Sequence, residues 1–142
     1  MNSNDSPYCN CLFYSVNALS RQITKMAEEE FAVTGLSPSY AFILMSVNKK
    51  PGILSGEVAK IMQLTPSTIT RLIEKLEQKG YITREVSGKF SLLYPTKKSL
   101  AIEKTITKAW QSLYTRYVEV LGEKESKVLT DKVIYANRKL GS

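Results

Sequence analysis

The segment Thr65–Val86, TPSTITRLIEKLEQKGYITREV, constrains this chain more than any other. A threonine before a proline is an N-cap followed by a residue preset for the first helical turn. Ile69, Leu72, Ile73 and Leu76 then recur at i, i+3, i+4 and i+7, which makes one apolar stripe along a helix. Gly80 closes it, and the β-prone run Tyr81–Val86 follows at once. With the stripe turned inward, Ser67, Thr68, Thr70, Arg71, Glu74, Lys75 and Gln78 are left for the other faces. Such a helix is either an ordinary surface helix or a device for presenting short hydroxyls and a basic group to something outside.

The neighbouring segments narrow that choice. Ser55 is read as the N-cap of a short helix, SGEVAKIMQL, with Val58, Ala59, Ile61 and Met62 available to a core. A short helix, a tight turn and a longer capped helix form a helix-turn-helix. Tyr81–Val86 and Lys89–Tyr94 read as two strands joined across Ser87-Gly88, a hairpin in the position of a wing. Ser37-Pro38 opens an earlier helix whose body, Tyr40–Val47, is almost wholly apolar and belongs at the centre of the core.

Long helices are expected at both ends. Leu12, Val16, Leu19, Ile23 and Met26 give a period near 3.5, a seam suited to packing along another helix, and Gly35 ends that segment. After Pro95 and a Thr96 cap, a helix carries Ile102, Ile106, Ala109, Trp110, Leu113, Tyr117 and Val120 as far as Gly122. A last helix carries Leu129, Val133, Ala136 and Leu140. The expected fold is mostly α with a small β-hairpin wing, in a single domain over residues 1–142. Its winged helix-turn-helix core lies at about 37–96, flanked by terminal dimerisation helices at about 9–33 and 97–140.

Charge points to a polyanion. The net charge is +7, and residues 49–98 hold eight lysines and two arginines against four glutamates, a balance of +6. The positive charge therefore concentrates on the helix-turn-helix and wing. Several chemistries are missing. With no histidine, the chain has no His-based acid–base catalysis, no Ser-His-Asp arrangement and no HExxH metal site. Nor is there a glycine-rich phosphate loop, so the chain reads as a non-enzyme without cofactor or metal. No apolar run approaches the ~18 residues of a membrane span, and the N-terminus is not built as a secretory signal, so the expected location is the cytoplasm.

A helix entering the major groove needs short side chains at its leading end, so that the backbone can approach the base edges. Hydroxyls bond bases or phosphates, and arginine grips a phosphate or the O6/N7 edge of guanine. Together with the short helix, the wing and the local charge, this favours double-stranded DNA as partner. The competing reading is a winged-helix protein-interaction module that does not bind DNA specifically, which leaves the concentration of charge unexplained.

LSGEVAKIMQLTPSTITRLIEKLEQKGYITRE resembles the core of the MarR family of bacterial winged-helix transcription regulators. The family pattern L-x-x-S-x-x-T-R-L-x-x-x-L-x-x-K-G, two hydrophobic residues, x and R runs here from Leu64 to Arg84. The resemblance implies a homodimeric repressor whose first and last helices pair, with one recognition helix per subunit in successive major grooves of a pseudo-palindromic operator. It also implies base contacts from Ser67, Thr68 and Thr70, and phosphate contacts from Arg71, Lys75 and the Ser55 end. Thr65 and Arg84, which bracket the segment, join the DNA-binding set. The wing departs from the family, which carries an Asp-x-Arg element near its tip; here REVSGKFSLLYPTKK has no such Asp-Arg pair, and Lys89 is the only basic residue at the tip.

The family often senses aromatic anions between the dimer helices and the DNA-binding core. Tyr14, Arg21, Tyr40 and Trp110 are the candidates for such an inducer site, with ordinary packing as their other reading. Some relatives sense oxidants through an N-terminal cysteine, which makes Cys9 and Cys11 candidates for a redox switch. A C-x-C disulfide closes a small strained ring, an intersubunit bond needs a dimer, and two thiolates complete a metal site only across one. Reduced cytosolic thiols are the plain alternative.

Overall fold

A computed structural model describes residues 6–141. Helix α1 (Leu12–Phe31) runs into a 3₁₀ turn (Ala32–Thr34), and Gly35 closes it in the left-handed region at φ 72°. Then come α2 (Pro38–Lys49), β1 (Ile53–Leu54), α3 (Ser55–Met62), α4 (Pro66–Gln78), β2 (Ile82–Ser87), β3 (Phe90–Pro95), α5 (Lys97–Leu121) and α6 (Glu123–Leu140). Mostly helical, with a small antiparallel sheet beside the second helix of a helix-turn-helix, the chain has the winged-helix architecture expected.

The core forms round α2, because its sequence is apolar on nearly every side. Ala41, Ile43, Leu44 and Val47 are completely buried, and Phe31, Val58, Ile69, Ile73, Leu76, Ile82, Leu93 and Ile106 close in from the other elements. Leu72, the fourth residue of the α4 stripe, is half-buried against the same cluster. Burial of each large aliphatic side chain is worth about 1.5–3 kcal/mol, so Ile69, Ile73 and Leu76 fix which face of α4 is turned inward.

Several local expectations are corrected. Leu54, not Ser55, is the N-cap of α3, and Ser55 is its first helical residue. The hairpin turn is Gly88-Lys89 rather than Ser87-Gly88, because Ser87 pairs with Phe90. Gly88 has φ 60°, the left-handed geometry that two-residue hairpin turns require. A third strand was not foreseen: β1 pairs antiparallel with β3, Ile53 opposite Leu93 and Leu54 opposite Leu92, giving the order β1-β3-β2. Gly52, at φ 87°, starts it by donating its N–H to the Leu93 carbonyl at 2.7 Å.

The terminal helices divide along their length. Met26, Ala27 and Phe31 of α1 pack on the core, whereas Leu12, Phe13 and Val16 stay exposed. Arg116 of α5 ties the two helices through Glu29 (2.8 Å) and Glu30 (3.3 Å) of α1, and its hydrogen bond to Glu29 raises its pKa further. Burial, aided by neighbouring Tyr114, likewise raises the Tyr117 phenol above its ordinary range. Trp110 and Val120, two of the apolar residues that α5 carries, are 48% and 78% exposed. Among the described residues no single helix is long and apolar enough to cross a membrane.

Candidate nucleic-acid interface

The left-handed residue Gln63, at φ 54°, makes the sharp turn between α3 and α4, its N–H bonding back to the Lys60 carbonyl at 3.2 Å. Thr65 then caps α4: its hydroxyl oxygen accepts from the Thr68 N–H at 3.3 Å and its proton is directed to the Thr68 hydroxyl at 2.9 Å. The Ser67 hydroxyl lies 3.3 Å away. Three hydroxyls are thus gathered over the first turn of a helix whose N-terminus carries partial positive charge.

This clustering assigns different capacities to the predicted base-facing residues. Thr70 donates its proton to the Pro66 carbonyl at 2.9 Å, which leaves it as an acceptor toward an amino group such as cytosine N4. Thr68 accepts from Thr65 and keeps its own proton to donate. Arg71 and Lys75, one and two turns in, are exposed and make no ion pair among the described residues. Their charge is available to phosphate or to a guanine edge. Ser55 is half-buried at the start of α3, on the element that precedes α4.

The structure withdraws other basic side chains from that face. Arg84 pairs with Glu77 at 3.1 Å, joining β2 to the last full turn of α4. Lys50 pairs with Glu57 at 2.8 Å. Lys79 lies over the Tyr40 ring at 5.4 Å, and Lys98 lies over the Tyr81 ring at 4.4 Å while donating to the Lys79 carbonyl at 2.7 Å. Lys89 sits at the wing tip over the exposed ring of Phe90, 5.8 Å from its centroid. These contacts join residues across turns and strands, so charge counting alone misses them.

The four candidate inducer residues do not gather round one cavity. Tyr14 packs at a tilt against Tyr8, ring centres 5.9 Å apart, Tyr40 faces Lys79, and Arg21 is exposed on α1. Trp110 alone lines a cavity of about 600 Å³ between α2, α3 and α5, edge-on to Phe42 at 5.9 Å. Met45, Ile61 and Met62 supply its apolar wall, and Lys49 and Glu103 put opposite charges on its rim. Sequence reading assigned those methionines to the general core, where their hydrophobicity also fits. Cys9 is half-buried and Cys11 exposed in the turn before α1, both as free thiols. Among the described residues no group of three or more side chains could hold a metal.

With this geometry in place, comparison with known proteins is specific. A MarR family model matches residues 34–89, which take in α2, the helix-turn-helix and the hairpin as far as its turn. The HTH-type transcriptional repressor MdtR of Bacillus subtilis (strain 168) is 27% identical over 115 residues, covering 78% of this chain and 74% of MdtR. The same fold occurs in the S. aureus MepR–DNA complex, with a TM-score of 0.79, 18% identity, and 91% and 97% of the two chains covered. It occurs also in the repressor CouR bound to p-coumaroyl-CoA, with a TM-score of 0.85, 19% identity, and 94% and 96% covered.

Proposed function

We propose that the chain is a MarR-family protein, and that it is a cytoplasmic, homodimeric transcription regulator that binds double-stranded DNA through α4. The match of a MarR family model to residues 34–89 and the likeness to MdtR support this reading. The observation that carries this reading is the outer face of the capped helix α4. It exposes Ser67, Thr70 and Arg71 in its N-terminal half and Lys75 toward its last turn, with neither cation in an ion pair among the described residues. In the groove, Ser67, Thr68 and Thr70 read base edges while Arg71 and Lys75 hold phosphate or guanine; the Ser55 end of α3 approaches the backbone. Lys89 reaches the backbone from the wing, and Arg84 serves the site by fixing the wing to α4.

Repression fits MdtR, and release by a small molecule fits the Trp110 cavity, where an aromatic group would stack against the indole. In the same reading, 37–96 forms the DNA-binding lobe and the terminal helices form the dimer. Residues 9–33 and 97–140 supply those helices, and the thiols of Cys9 and Cys11 lie beside α1, where an oxidant would act on the dimer.

The test is enrichment of bound fragments from random duplexes, followed by titration of the selected and a scrambled duplex at two salt concentrations. A dimer that prefers the selected duplex by a hundredfold or more is expected, since specific binding exceeds nonspecific binding by about 10³–10⁷. Equal, weak binding to both duplexes would leave the protein-interaction module as the better account.

A further inference from the structure

The C-terminal end of α4 is held more elaborately than ordinary helix termination needs. Lys98, from the first turn of α5, donates its ammonium to the Lys79 carbonyl at 2.7 Å, a charge-assisted bond where the helix dipole favours a cation. The same ammonium lies 4.4 Å from the centre of the Tyr81 ring. Thr96, which caps α5 by accepting from the Ser99 N–H at 3.3 Å, donates its hydroxyl to the Gly80 carbonyl at 2.7 Å. On the other side, Arg84 of the wing grips Glu77 at 3.1 Å. Gly80 itself stands at φ 82°, and its open face is crossed by the Lys98 stem, 4.0 Å from where a Cβ would sit.

We propose that Lys98 is a positioning residue for DNA reading, acting by anchoring the far end of α4 to α5 rather than by touching DNA. The inference rests on the reading of α4 as the recognition helix. A helix of α4's length spans about 20 Å, so a tilt of about 5° at the anchored end moves the reading end by roughly 2 Å. Hydrogen bonds to base edges tolerate only a few tenths of an ångström. Lys98 is exposed and takes no part in the core, so its removal loosens orientation without opening a cavity. A lysine in so basic a region is otherwise counted as a phosphate contact, and only that role changes the salt slope when the lysine is removed.

The experiment compares Lys98→Met and Lys98→Arg with the parent by two measurements. Amide hydrogen exchange over residues 75–82 needs no DNA, and titration of a selected and a scrambled duplex is done at two salt concentrations. Lys98→Met should exchange faster in that segment and lose about five- to tenfold in affinity for the selected duplex, within the range of a single hydrogen bond. Its salt slope and its binding to the scrambled duplex should match the parent, and Lys98→Arg should recover most of the affinity. Equal losses on both duplexes with a shallower slope would make Lys98 a phosphate contact and overturn the proposal. Unchanged affinity would overturn it too, whether or not exchange quickens, because the anchor would then serve folding alone. If Lys98→Met fails to fold, Lys98→Gln carries the same comparison. Failure of the parent to prefer any duplex would instead overturn the assignment of α4.

Discussion

At the scale of the residue, Thr65 does two things that its neighbours depend on. It accepts the Thr68 N–H at the helix start, and it lies within hydrogen-bond distance of the Thr68 and Ser67 hydroxyls over the first turn of α4. Thr65→Ala should therefore cost about 1 kcal/mol of folding stability, as lost N-caps do, and Thr65→Ser should restore it. Denaturant unfolding of the three proteins checks this; an alanine variant as stable as the parent would mean the cap bond is idle. Arg71 presents the opposite case, a side chain with no ion pair or hydrogen bond among the described residues. Arg71→Ala should leave stability nearly unchanged yet cost about 1–3 kcal/mol of DNA binding, with a shallower salt slope if the contact is to phosphate. The cap and the outward placing of Arg71 were legible in the sequence, because an N-cap and the face of a periodic helix are local properties. The role of Arg84 was not: its partner Glu77 lies across the Gly80 turn, and only the folded hairpin brings the two together.

At the scale of the element, periodicity revealed what has a period and missed what has none. The apolar stripe of α4, the all-apolar α2 and both long terminal helices repeat often enough to be read directly. Strand β1 has two residues, too few for alternation to register, and it exists only because β3 offers Leu92 and Leu93 an open edge. The wing turn was misplaced by one residue because Ser87-Gly88 and Gly88-Lys89 are both acceptable turn pairs; the pairing of Ser87 with Phe90 decides between them. The Trp110 cavity depended on how α2, α3 and α5 pack, which no single segment encodes. This wing is a short ladder with one cation at its tip, and that cation already leans over Phe90. Lys89→Ala should consequently weaken DNA binding less than Arg71→Ala does. Titration of both variants on the selected duplex checks the order, and a larger loss from Lys89→Ala would shift the dominant contact from helix to wing.

At the scale of the whole molecule, α6 is an element without sufficient support in one protomer. Of its residues Glu123–Leu140 only Ser126 is buried, and the Ser126 hydroxyl has no hydrogen-bond partner among the described residues. A helix of this length is marginal in water unless an apolar face is packed away. Yet Leu129, Val133, Ile134 and Leu140 remain 38%, 45%, 40% and 79% exposed, alongside Leu12 and Val16 at the free end of α1 at 68% and 52%. Apolar surface on two terminal helices of one chain, the faces that the sequence marked as seams, fits a second copy of the same chain, because a two-fold pairing buries both at once. Two copies would carry two α4 helices, which reach successive major grooves when spaced about 34–36 Å apart. Light scattering at micromolar concentration should accordingly give a dimer. The double substitution Leu129→Asp with Val133→Asp should give a monomer with its α6 helicity reduced. It should also lose operator affinity far more than affinity for a single half-site. A parent protein that is monomeric under these conditions would remove the basis for two-fold reading of DNA. A variant that stays dimeric would place the interface elsewhere than on this face of α6.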